Sequence, residues 1–362
     1  MAYYNAIGHS TSPFVTIYKQ TGDVSTKLAD PASLPSGVSR GVSFSADGNY
    51  LSLANGTSPY VTIYSRSGDT FTKLADPATL PTGYSLSTAW STDGTYMSVA
   101  PSTSPYITIY KRAGDVFTKL ADPATLPTGS SNGVAWSADG TYMSVAHGTS
   151  PYITIYKRSG DTFTKLSNPA SLPTGIGQGV AWSADGTYMS VAHNTTPYIA
   201  IYKRSGDTFT KLSNPATLPT GLAIATGWSD DGTYMTVAHA ASPYITIYKR
   251  SGDTFTKLAD PASLPVGNGR GISWSADGAY MSVAHAASPY VTIYSRSGDT
   301  FTKLADPATL PTDFGFSTSY FEIPNAAPTA PTLVGPADLA EVPADSPLLY
   351  DWVFNDPDAG DT

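Results

Sequence analysis

The stretch GVAWSADGTYMSVAHGTSPYITIYKRSGDTFTKL, running from Gly133 to Leu166, decides the fold. Gly133 to Ala138 reads as a strand, and Asp139-Gly140 is the hairpin turn that follows it. Thr141 to His147 alternates and is rich in strand-forming residues. A Gly-Thr-Ser-Pro loop leads into a third alternating strand, Tyr152 to Lys157, and Ser159-Gly160-Asp161 turns the chain into a fourth, Thr162 to Leu166. The proline-bounded stretch from Asn168 to Gly175 then connects to the next unit. No segment places apolar residues at i, i+3, i+4 and i+7, which excludes a helical repeat.

Working outward, the Ser/Thr-Pro-aromatic signal recurs at Pro13, Pro59, Pro105, Pro151, Pro197, Pro243 and Pro289, always 46 residues apart. Four strands in a period of this size make a β-propeller blade, and seven signals make seven blades. The Asp-Gly turn occurs only six times, at Asp47, Asp93, Asp139, Asp185, Asp231 and Asp277, and Ile323 stands at the seventh place. The missing half lies at the other terminus. Tyr3 to Gly8 is a second strand without a first, and Phe316 to Glu322 is a first strand without a second. The expected fold is therefore all-β, a seven-bladed propeller whose ring is closed by pairing of the N-terminal strands with the C-terminal strand.

One aromatic keeps its place in every first strand: Phe44, Trp90, Trp136, Trp182, Trp228, Trp274 and Tyr320. Rings at a fixed register are read as packing between blades. Each removes roughly 150–250 Å² from water, which at about 25 cal/mol/Å² is several kcal/mol gross.

Composition agrees with this fold. Of 362 residues only 13% are charged, about half the usual ~25%, while 32 glycines and 29 prolines supply the turns. A net charge of −8 argues against binding by phosphate neutralisation, so no nucleic-acid partner is expected. The absence of cysteine excludes disulfides and thiolate chemistry. No apolar run reaches the ~18 residues of a membrane span, so no membrane insertion is expected. Met1-Ala2-Tyr3-Tyr4-Asn5 has the features of no signal peptide.

Phe44-Ser45-Ala46-Asp47-Gly48-Asn49-Tyr50-Leu51 and its copies resemble the hairpin of WD-repeat and YVTN-like seven-bladed propellers. The resemblance covers residues 1–322 and implies the ring fold, which hosts many unrelated functions. Tyr156-Lys157 and Tyr64-Ser65 stand where that family has Trp-Asp, and the Gly-His before the first strand is missing. The scaffold roles of true WD-repeat proteins are therefore not implied. Residues 323–332 read as a proline-rich linker. Residues 333–362, with Leu348-Leu349-Tyr350-Asp351-Trp352, resemble the start of an Ig-like or fibronectin type III-like module. A complete sandwich needs about 100 residues, so the module is incomplete.

Comparison of the seven copies locates the variation. The turns barely change, as turn geometry requires, whereas the residues just before or at the start of the first strand differ in every copy. Arg40, Tyr84, Leu86, Asn132, Gln178, Ile224, Asn268, Arg270 and Phe314 are the candidate ligand-binding residues of this variable-loop face. Arg40 and Arg270 have the chemistry to clamp an acidic sugar or a carboxylate. His9, His147, His193, His239 and His285 share one repeat position. Blades stack roughly 10 Å apart, and zinc takes nitrogens at about 2.0–2.1 Å, so no metal or other cofactor is expected. No paired acid and base departs from the repeat average, so neither an enzyme nor a catalytic residue is expected.

Near-identical repeats with an Ig-like module also resemble accessory tail or fibre proteins of phages. The expectation is a non-enzymatic, virion-associated propeller that binds a host-surface glycan or protein receptor and sits beside other virion tail proteins. Its expected location is the virion or an extracellular surface. A bacterial surface adhesin or lectin and a structural docking disc are the alternatives, and a polysaccharide lyase or hydrolase comes last.

Overall fold

The structure, a computed structural model, describes residues 1–323, 332–334 and 351–353. Seven four-stranded antiparallel sheets follow one another. Six are built from consecutive strands. In the blade of the quoted stretch these are Ser131–Trp136, Tyr142–His147, Ile153–Ser159 and Thr162–Lys165, from the axis to the rim. The seventh sheet joins the termini: Gly315–Ile323 pairs antiparallel with Ala2–His9, followed by Val15–Thr21 and Val24–Lys27. The ring closes as the sequence implies. Thr332–Val334 pairs with Asp351–Val353; the linker and Ig-like assignments for residues 323–362 otherwise lie outside the described residues.

The blades are held by three kinds of contact. Inside, the first-strand tryptophan wedges between neighbours. Trp182 stacks on Tyr142 of the preceding blade at 6.1 Å and meets Phe209 edge-on at 5.6 Å. Its indole N–H donates to Ser144 Oγ of that blade at 3.2 Å. Near the axis, small residues let the first strands converge: a Cβ on Gly133 would sit 3.0 Å from the Gly179 Cα of the next blade.

The third contact lies on the face that carries the Asp-Gly and Ser-Gly-Asp turns. Tyr142 Oη donates to Asp207 Oδ1 of the next blade at 2.5 Å, and Lys157 Nζ donates to Asp207 Oδ2 at 2.8 Å. The Arg204 guanidinium lies 4.9 Å from the Tyr142 ring centre. This arrangement recurs around the ring, so the constancy of the Ser-Gly-Asp turn reflects an interblade latch as well as turn geometry. Ser65 and Ser295 take the lysine's place beside Tyr50 and Tyr280, and where the last blade meets the first Tyr280 reaches Asp23 at 3.1 Å with Gln20 in the arginine's place.

Candidate functional site: a ring of bulged residues around the axis

Every first strand is interrupted once at its axial start. Ser131 pairs with His147 and Gly133 with Ala146, which leaves Asn132 as an extra residue opposite none. The same one-residue bulge sets out Arg40, Gln178, Ile224, Arg270 and Leu86. In the closing blade Gly315 pairs with His9 and Ser317 with Gly8, so Phe316 is the seventh. A bulge re-aims a side chain that regular pleating would send elsewhere. Here it directs one residue from each blade at the axis.

These seven half-buried residues line a cavity of about 260 Å³. In ring order they are Arg40, Leu86, Asn132, Gln178, Ile224, Arg270 and Phe316, so the cavity has two poles. At one, the Arg40 and Arg270 guanidinium carbons each lie 5.2 Å from the Phe316 ring centre. Both Nε groups are buried without a hydrogen-bond partner. Burial, followed by the charge of Arg40, lowers the basicity of Arg270. At the opposite pole stand Asn132 and Gln178. The Asn132 amide is fixed by donation from Nδ2 to Gly177 O of the next blade at 2.8 Å, which leaves its carbonyl oxygen for a ligand. Leu86 and Ile224 separate the poles. No carboxylate or imidazole belongs to the described lining.

Six of the nine candidate residues named from the sequence thus line one cavity. Tyr84, Asn268 and Phe314 do not; each stands two positions earlier, on a collar around the mouth. Phe316 is the ring member that the sequence reading passed over in favour of Phe314. Its signal was present: each bulged residue is flanked by Ser, Gly or Ala on both sides in all seven copies.

The histidines lie elsewhere. Each is fully buried in its own blade. His147 Nε2 is hydrogen-bonded to Thr154 Oγ1 at 2.9 Å, and His9, His239 and His285 each bond a threonine seven residues on. Ala200 replaces that threonine beside His193, whose two ring nitrogens are unpartnered. Burial pushes His9, His147, His193 and His285 down to about 4. Among the described residues no cluster of His, Asp or Glu has metal-binding geometry.

The other mouth of the axis has the opposite character. Asp47, Asp230 and Glu322 line a cavity there with Trp274 and Phe321. Burial raises the Asp230 and Glu322 carboxyls above their usual range. The cationic and acidic openings are therefore at opposite ends of one ring.

No family model and no curated protein matches the chain. Solved structures do. A Lactobacillus plantarum protein aligns with a TM-score of 0.70 at 18% identity, covering 89% of this chain and 100% of that one. A candidate 6-phosphogluconolactonase of Bacteroides fragilis aligns at 0.71 and 15%, covering 89% and 98%. The periplasmic gluconolactonase of Pseudomonas aeruginosa aligns at 0.70 and 15%, covering 90% and 100%. At these identities the likeness shows the fold alone.

The comparison corrects the functional expectation. The non-enzymatic, virion-associated receptor-binding propeller is contradicted: these neighbours include lactone hydrolases, and none carries a phage or virion name. The expectation of no enzyme falls with it. Physically, the error lay in reading the variable triplets as one outward recognition face. The bulge turns one residue of each triplet inward, into a cavity of small-molecule size.

Proposed function

We propose that the axial cavity is a lactonase-type site that binds a small lactone and releases its hydroxy acid. The observation that carries the reading is the arginine pair, two guanidinium groups converging beside Phe316 with unpartnered buried Nε–H donors. Water adds to the lactone carbonyl carbon, the ring C–O bond breaks, and the ring oxygen leaves as a hydroxyl. The carboxylic acid formed gives its proton to solvent. Negative charge gathers on the carbonyl oxygen during attack, and fixed donors in a confined site stabilise that charge most when it is fully developed. The arginines then hold the carboxylate product as a charge-assisted pair. Asn132 Oδ1 and the Gln178 amide face substrate hydroxyls across the cavity. The names of the structural neighbours support a sugar lactone as the substrate.

The test is acid release from δ-gluconolactone and its 6-phosphate, followed by pH-stat titration above the spontaneous rate. The protein is expected to accelerate hydrolysis of at least one, and the Arg40→Gln/Arg270→Gln variant to lose about 10²–10³-fold in kcat. No acceleration, or equal rates in the variant, overturns the proposal.

A further inference from the structure

Around the cavity runs a second ring, two residues before the first: Val38, Tyr84, Ser130, Ile176, Leu222, Asn268 and Phe314. A water-exposed collar on a charge-poor protein is expected to be polar, yet five of these seven are apolar or aromatic. Phe314 is 44% exposed, Tyr84 48% and Leu222 40%, among the few large hydrophobic side chains so exposed in the described chain. They are not loose. Tyr84 and Leu222 each accept a backbone hydrogen bond through their carbonyl oxygens, from Ser102 and Ala240. The Phe314 ring packs edge-on against Tyr290 at 6.4 Å.

Their distribution around the ring is uneven. Phe314, Val38 and Tyr84 come from three consecutive blades, and the blade in the middle is the one that supplies Arg40. Directly inside Phe314 is Phe316, which lies between Arg40 and Arg270. An apolar arc therefore begins at the anion-binding pole and runs outward from it. On the amide side the collar is mixed, with Ser130 outside Asn132 and Ile176 outside Gln178, so only the arc beside the arginines has three apolar collar residues in consecutive blades.

We infer that the ligand class of this site is a lactone or carboxylate that carries an apolar arm in addition to its polar head. The head lies between Arg40 and Arg270, and the arm leaves across Phe316 onto Phe314, Val38 and Tyr84. Charge complementarity fixes the head, and the arc fixes the direction of the arm. This inference rests on the arginine pair being the head-group site, as proposed above.

Calorimetric titration of the full chain with acetate, butanoate, hexanoate and octanoate tests it. Full burial of a methylene is worth about fourfold in affinity, or about 0.8 kcal/mol. An arm on an open collar is buried on one side, so about twofold per methylene is expected, and octanoate should bind at least tenfold tighter than butanoate. The Phe314→Ser/Tyr84→Ser variant, which alters two exposed side chains, should flatten that slope. The Arg40→Gln/Arg270→Gln variant should abolish binding of the whole series. A flat series in the native protein overturns the inference about the arm while leaving arginine-dependent gluconolactone hydrolysis standing. A slope unchanged by the collar variant overturns the placement of the arm. Carboxylate binding that survives loss of both arginines overturns the head-group site and the lactonase reading with it.

Discussion

Two rings in this protein are made by the same 46-residue repeat and have opposite fates. At the rim of the turn-bearing face, Tyr142 and Asp207 and their counterparts recur in every blade and join each blade to the next. At the opposite mouth of the axis, the bulged position holds Arg, Leu, Asn, Gln, Ile, Arg and Phe. The rim position is constrained twice, by its own turn and by the neighbouring blade. The bulged residue has no partner on the adjacent strand, so the ladder places no demand on its side chain. The fold thus fixes where seven side chains meet and leaves their chemistry open.

The comparison breaks if a residue of the constant set can be lost cheaply. Trp182→Ala removes an indole that is buried between two blades and leaves Ser144 Oγ without its donor. A loss of about 3–5 kcal/mol is expected in urea unfolding, with ligand affinity at the axial cavity kept under native conditions. A loss below about 1 kcal/mol would show that the interblade wedge is not what holds the ring.

The five repeated histidines sharpen the same contrast through pH. Their folded-state value, about 4 for His147, lies below the ordinary 6.5 because burial opposes the charged ring. Between those values the unfolded chain takes up a proton that the folded chain refuses. Stability is therefore complete above pH 6.5 and falls as pH drops toward 4, by no more than about 3 kcal/mol per ring. The blade that carries Phe44 already has the substitute: Asn55 donates from Nδ2 to Thr62 Oγ1 at 2.6 Å. His147→Asn is thus expected to retain the fold at pH 7 and to lessen the fall in Tm between pH 6.5 and 4. A variant that loses Tm in parallel with the native protein would show that this ring does not govern the acid response.

The architecture was legible because it is written in periods. Pro13 to Pro289 count the blades, and the absent Asp-Gly at Ile323 locates the closure. The site was legible only in part. Arg40, Leu86, Asn132, Gln178, Ile224 and Arg270 stand out by varying, but variation alone does not tell an outward loop from an inward bulge. Alternation predicts facing only while the ladder is regular, and one unpaired residue resets it. The latch was hidden for another reason: Tyr142 and Asp207 are 65 residues apart and lie in different blades, so the constancy of Asp207 passed for a property of its turn. The functional expectation stopped at the same point, since it took the triplets as an outward face and the bulge turns one member of each inward.

The smallest expected effect is the most direct test of the contrast. Exchanging Gln178 and Ile224 between their blades, as Gln178→Ile/Ile224→Gln, preserves the composition of the cavity and moves one amide away from Asn132. Each side chain is half-buried at a bulge, and no ladder hydrogen bond depends on it, so Tm should change by no more than a degree or two, equivalent to about 0.5 kcal/mol. Ligand binding should weaken nonetheless, because the hydrogen-bonding pole opposite the arginines is divided across the ring. A large fall in Tm would mean that the bulged residues support the fold, and the separation of structural from functional positions within one repeat would be lost.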